Sequence, residues 1–117
     1  MFKHHLTAII PCSDLDASEA FYARLGFVNE GDYPDYRLLA DGKGGHVHLR
    51  RVDFTWPPGH NPLGLYFYTE DVDGLAAAFR GEVIEPNGPE HKPWGMYEFA
   101  LSDPDETLVR IGKPSEP

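Results

Sequence analysis

Two stretches of this chain are versions of one unit, and that repeat constrains the fold more than any other feature. "DLDASEAFYARLGF" runs from Asp14 to Phe27 and "DVDGLAAAFRGEV" from Asp71 to Val83, with Asp14 and Asp71 at matching places. In the first, Ser13 or Asp14 caps a helix to about Leu25. Leu15, Tyr22 and Leu25 fall at i, i+7 and i+10 on one face, Phe21 lies beside them, and Gly26 supplies the stop. In the second, Asp71 opens the helix, Val72, Leu75, Ala76 and Phe79 occupy i, i+3, i+4 and i+7, and Gly81 ends it. One helix covers one face of a small sheet, so the other face needs a second unit or becomes a cleft.

Strand-like runs surround each helix in the same order. Leu6 to Pro11 precedes the first helix, and Phe27–Asn29, Tyr36–Ala40 and His46–Val52 follow it, with Asp41-Gly42-Lys43-Gly44-Gly45 as a turn. Leu63–Thr69 precedes the second helix, and Glu82–Ile84, Tyr97–Ser102 and Thr107–Ile111 follow it. Between the copies, "DFTWPPGHNPLG" carries Pro57, Pro58 and Pro62 and reads as a linker. The expected fold class is α+β. Two βαβββ modules, residues 5–52 and 63–113, are joined by a Pro-rich linker, 53–62, within one domain spanning 1–117. Their curved mixed sheets form a cleft.

Alternation assigns the faces. Leu63, Leu65 and Phe67 make an apolar face suited to packing on a helix, which turns Gly64, Tyr66 and Tyr68 the other way. Tyrosine, with an apolar body and a polar tip, suits a partly wet cavity. Val47 and Leu49 belong to the core, leaving His46, His48 and Arg50 on the cleft side. Val109 and Ile111 likewise point inward, and Leu108 and Arg110 face the cleft.

Composition narrows the partners. The 117 residues fit one domain, and a chain of this size buries about two-thirds of its surface on folding. A net charge of −9 disfavours nucleic acid and anionic membrane, whose phosphates demand clustered Lys and Arg. It is compatible with a cationic ligand, although an acidic surface is most often a solubility device. No apolar run approaches the ~20 residues of a membrane span. The N-terminal stretch shows no signal peptide. Cys12 is the sole cysteine and reads as an inert thiol at a strand end. Cytoplasmic residence is expected.

Four stretches together, "DLDASEAFYARLGF", "GGHVHLRRVD", "LYFYTEDVDGL" and "KPWGMYEFALSDPDETLVRIG", resemble the glyoxalase I / bleomycin resistance protein / extradiol dioxygenase superfamily, the vicinal oxygen chelate proteins. The likeness runs from about residue 5 to 113 and is closest to the bleomycin-resistance branch. It implies two βαβββ modules in a homodimer whose clefts are built partly from each subunit; whether the dimer is domain-swapped stays open. Enzymes of the superfamily bind a divalent metal through His and Glu side chains. By this likeness the four ligand positions fall at Thr7, His46, Gly64 and Arg110. A catalytic site needs three protein ligands plus an open position, and a guanidinium cannot be one of them. The resemblance therefore implies no metal, no cofactor and no catalytic residue.

It implies instead a metal-free protein that binds and sequesters a small molecule, either bleomycin-like or planar and anionic. The branch's two groove tryptophans map onto Tyr66 and Tyr68, and its Trp-Gly onto Trp94 and Gly95. Trp94 would offer a stacking plane, and Gly95 would let backbone approach the ligand. Arg110 and His46 would orient it. His48 and Trp56 complete the candidate ligand-binding set, Trp56 either capping a partner's cleft or packing the dimer. The alternative is a metal-dependent lyase, isomerase or dioxygenase with a shifted site drawn from His5, His46, His48 and Glu98.

Two departures from the family pattern bear on the ligand. Glu106 stands where Gly usually follows Asp-Pro-Asp, and a positive φ there would cost ~1–2 kcal/mol, which points to a different turn type. A one-residue slip would exchange the faces of Tyr97–Leu101; Phe99 and Leu101 are expected inside, with Glu98 in the cleft beside Arg110. Secondly, His46, His48, Arg50 and Arg110 would make the cleft floor basic. For Arg110, a structural ion pair with Glu98 competes with a ligand anchor.

Overall fold

The computed structural model describes residues 3–116. Two compact units divide the chain, Met1–Pro57 and Pro58–Pro117, and each is a four-stranded mixed sheet carrying one helix. The first unit runs β1 (Ala8–Cys12), α1 (Leu15–Ala23), β2 (Val28–Tyr33), β3 (Tyr36–Ala40) and β4 (His46–Arg51). The second runs β5 (Gly64–Tyr68), α2 (Val72–Ala78), β6 (Glu90–His91), β7 (Met96–Ser102) and β8 (Leu108–Pro114). The sheet orders correspond, β1-β4-β3-β2 and β5-β8-β7-β6, and in each the first strand lies parallel to the last. The α+β architecture read from the repeat is present in both copies.

Both helices start as their sequences require. The Asp14 carboxylate accepts from Ala17 N at 3.1 Å, and the Asp71 carboxylate from Gly74 N at 3.1 Å. Each satisfies a donor that the first helical turn leaves open, a contact contributing about 1 kcal/mol. Helix α1 packs against β3 and β4, burying Phe21 and Tyr22 over Leu39, Val47 and Leu49. Arg37 of β3 ties the helix to the sheet through Asp16 at 2.8 Å and Glu19 at 2.9 Å. Helix α2 packs against β7 and β8, where Val72 and Phe79 meet a core of Phe99, Leu101, Val109 and Ile111.

Three expectations are corrected. Strand β1 begins at Ala8, two residues later than expected, and Leu6 is exposed. No strand forms at Glu82–Ile84; the place beside β7 is taken by the two residues Glu90 and His91. Pro86 and Pro89 lack the N–H groups a ladder needs. The edge of β7 is met instead by Ile84 N, which donates to Ala100 O at 2.9 Å, and by the Glu85 carboxylate, which accepts from Ala100 N at 2.8 Å.

The third correction concerns the turn between β7 and β8. Glu106 does adopt a positive φ, 65°, the backbone conformation that favours glycine, so the turn type is not changed to avoid it. The buried Asp103 carboxylate holds the turn by accepting from Asp105 N at 2.8 Å and Thr107 N at 2.9 Å, and Glu106 Oε1 accepts from Gly59 N at 3.1 Å. These bonds offset the strain. The register places Phe99 and Leu101 in the core and turns Glu98 to the other face, as expected.

Candidate ligand-binding face

The register of the second sheet sets two rows of side chains on the face opposite α2. Tyr66 is level with Arg110 and Ala100, and Tyr68 is level with Gly112 and Glu98. Tyr66 reaches diagonally across Gly112, and its hydroxyl donates to Glu98 Oε1 at 2.9 Å. The Trp94 indole Nε1–H donates to the same oxygen at 2.9 Å, and Arg110 Nη1 donates to Glu98 Oε2 at 2.9 Å. Both oxygens of a fully buried carboxylate are thereby satisfied by three donors from three segments, which is what a buried charge requires.

Tyr66 and Trp94 are held by these bonds, and the rings of Tyr68 and Trp94 are left open. Tyr66 and Tyr68 lie with ring centroids 4.6 Å apart, and Tyr68 and Trp94 are 68% and 58% exposed. Trp94 projects from the Lys92–Gly95 turn, closed by Gly95 N donating to Lys92 O at 3.1 Å. Gly95 has φ 86°, and a Cβ there would meet open space, so the turn conformation accounts for the glycine. Arg110 Cζ stands 5.6 Å and Lys92 Nζ 5.8 Å from the Trp94 ring centroid, within cation–π range.

Electrostatics follow the hydrogen bonds. Burial alone pushes the Glu98 carboxyl up, but the bonds from Trp94, Arg110 and Tyr66 outweigh it and hold the group below the ordinary glutamate value. Burial raises the Tyr66 phenol, and its bond to Glu98 raises it further, so it stays a neutral donor. Arg110 forms the ion pair that competed with the ligand anchor, and its charge is offset by Glu98. The face is therefore less basic than its residue types suggest.

The remaining candidates lie in the first unit. His46 stacks on His5 with centroids 3.9 Å apart, and His48 Nδ1 is 2.8 Å from the Tyr36 hydroxyl. Burial, then the neighbouring His46, lowers the His48 pKa, which favours a neutral ring. Trp56 packs edge-on against Phe54 at 5.6 Å. Among the described residues, no three His, Cys, Asp or Glu side chains gather as a metal-holding group. The residues present do not fit the divalent metal of the superfamily's enzymes. Gly64 has no side chain, Arg110 cannot ligate, and Glu98 is engaged within its own unit.

Two contributors were missed from sequence. Lys92 lies over Trp94 and pairs with Glu85 at 3.0 Å and Glu90 at 2.7 Å. Gly112 gives Tyr66 its path, and a glycine in mid-strand is the signal that could have found it.

The family model of the Glyoxalase/Bleomycin resistance protein/Dioxygenase superfamily matches residues 3–111. The chain belongs to this superfamily. A bleomycin resistance protein of Klebsiella pneumoniae is 32% identical over 117 residues, covering 90% of this superfamily member and 88% of that protein. Among solved structures, a bleomycin-binding protein complexed with bleomycin superposes with a TM-score of 0.80 at 24% identity, covering 97% of this chain and all of that one. A lactoylglutathione lyase from Agrobacterium tumefaciens gives 0.72 at 23% identity, covering 94% and 92%. At these identities the two structures speak for the fold alone. No helix among the described residues is long and apolar enough to cross a membrane.

Proposed function

We propose that this chain is a small-molecule binding protein that sequesters a bleomycin-type ligand without chemistry, as a cytoplasmic homodimer of one two-module domain. One observation carries the reading: Tyr66, Tyr68 and Trp94 form an accessible aromatic platform in which a buried carboxylate fixes the polar tips of Tyr66 and Trp94, and Tyr68 lies against Tyr66. Such a platform stacks planar heteroaromatic groups, and because Tyr66 and Trp94 are already bonded, little side-chain freedom is lost on binding. The likeness to the Klebsiella pneumoniae bleomycin resistance protein supports this ligand class. Arg110 and Gly95 border the platform. His46, His48 and Trp56 are proposed as further ligand contacts from the first unit's own surface.

The test is calorimetric titration with metal-free bleomycin. The wild-type protein is expected to bind saturably. Tyr66→Ala or Trp94→Ala is expected to weaken binding by roughly tenfold, about 1.4 kcal/mol, while circular dichroism stays native. Normal binding by both variants would refute the assignment of the face.

A further inference from the structure

We infer that Glu98 sets the charge preference of this face, so that it accepts planar cations and neutral heteroaromatics and rejects planar anions. The inference rests on the reading of the face as a ligand site, and it adds which residue discriminates. Arg110 is the cation nearest the stacking planes, 5.6 Å from the Trp94 ring, and unpaired it would invite a carboxylate or sulfonate. Its Nη1 is instead spent on Glu98 Oε2 at 2.9 Å. Because Glu98 is fully buried and takes two further donors, it is fixed beneath the platform. A mobile surface carboxylate would not be.

The surroundings point the same way. Residues 58–117 hold eleven acidic and four basic residues, a net charge of −7 out of the chain's −9. Besides Arg110, Lys92 is paired with Glu85 and Glu90, and Lys113 lies 3.7 Å from Glu70. The fourth, Arg80, follows α2, the helix covering the opposite face. An anion arriving at Tyr68 and Trp94 would meet no uncommitted cation, whereas a planar cation would meet the electron-rich faces of aromatic rings.

The charge at the platform can be read without any ligand, by collisional quenching of Trp94 in a Trp56→Phe background with iodide, caesium and acrylamide. Glu98→Gln keeps an acceptor for Tyr66 and Trp94 but leaves Arg110 uncompensated. It is expected to raise the iodide-to-caesium ratio of quenching constants about twofold, the effect of one unit charge several ångströms away, damped by the quencher salt. Acrylamide, being neutral, should report no change. Glu98→Asp, which keeps the charge, should leave the ratio at the parent value, and Arg110→Leu should lower it by a similar factor, an arm that survives if Glu98→Gln fails to fold. The inference is overturned if Glu98→Gln and Arg110→Leu shift the ratio in the same direction, if neither shifts it, or if all three quenchers move together. These outcomes are separate from the bleomycin titration: a protein that shows the expected charge pattern but ignores bleomycin refutes that ligand and leaves the role of Glu98 standing.

Discussion

Gly112 lies directly under the hydroxyl of Tyr66: a Cβ on this residue would collide with that oxygen and would stand 2.6 Å from Glu98 Cβ and 2.8 Å from the Tyr97 carbonyl oxygen. The strand β8 is thus kept bare at one point so that a side chain from β5 can cross it and bond to a carboxylate on β7. The aromatic platform depends on an absent methyl group.

Gly112→Ala should therefore displace Tyr66 and strain the β7 backbone together. Tyr66 can swing aside, but Tyr97 O and Glu98 Cβ belong to a paired strand, so a cost of about 2–3 kcal/mol is expected. Tyr66→Phe, which removes only the hydroxyl from the bond to Glu98, should cost about 1 kcal/mol. Urea unfolding of the two variants checks the order. A Gly112→Ala protein as stable as wild type would contradict the crossing.

Glu106→Gly should stabilise the protein. The residue holds φ 65° without glycine's freedom, and relief of that strain is worth up to about 1 kcal/mol after loss of its exposed bond to Gly59 N. A melting temperature a few degrees higher is the expected result. An unchanged or lower value would show that the Glu106 side chain contributes more to the turn than its backbone costs.

Acid should weaken the protein through Glu98. Its folded pKa lies below its ordinary value of 4.5, so its contribution is fully present above about pH 4.5 and is lost as pH falls through the folded value. Urea midpoints measured from pH 6 to pH 3 should fall more steeply for wild type than for Glu98→Gln. Parallel profiles would mean that Glu98 carries no net favourable charge interaction.

The parts legible in the sequence are those that depend on period. Helix spacing after Asp14 and Asp71 located α1 and α2, and strand alternation placed Tyr66, Tyr68, Glu98 and Arg110 on one face. Where side chains replaced backbone, the reading failed. Glu82–Ile84 reads as a strand, but the edge of β7 is met there by the Ile84 N–H alone, and at Ala100 N the Glu85 carboxylate does what a strand carbonyl would do. Asp103 holds a turn that Glu106 alone would disfavour. The shared oxygen of Glu98 was also hidden, because it depends on Tyr66 crossing Gly112 and on Trp94 folding back from its turn, two reaches with no sequence period.

The most direct test is the indole N–H signal of Trp94 in a ¹⁵N-labelled protein titrated with metal-free bleomycin, assigned against Trp56→Phe. This is the proton donated to Glu98. If the platform is the ligand site, the signal moves saturably, and the fitted affinity agrees with calorimetry. If bleomycin binds while the Trp94 signal stays fixed, or does not bind at all, the account is contradicted.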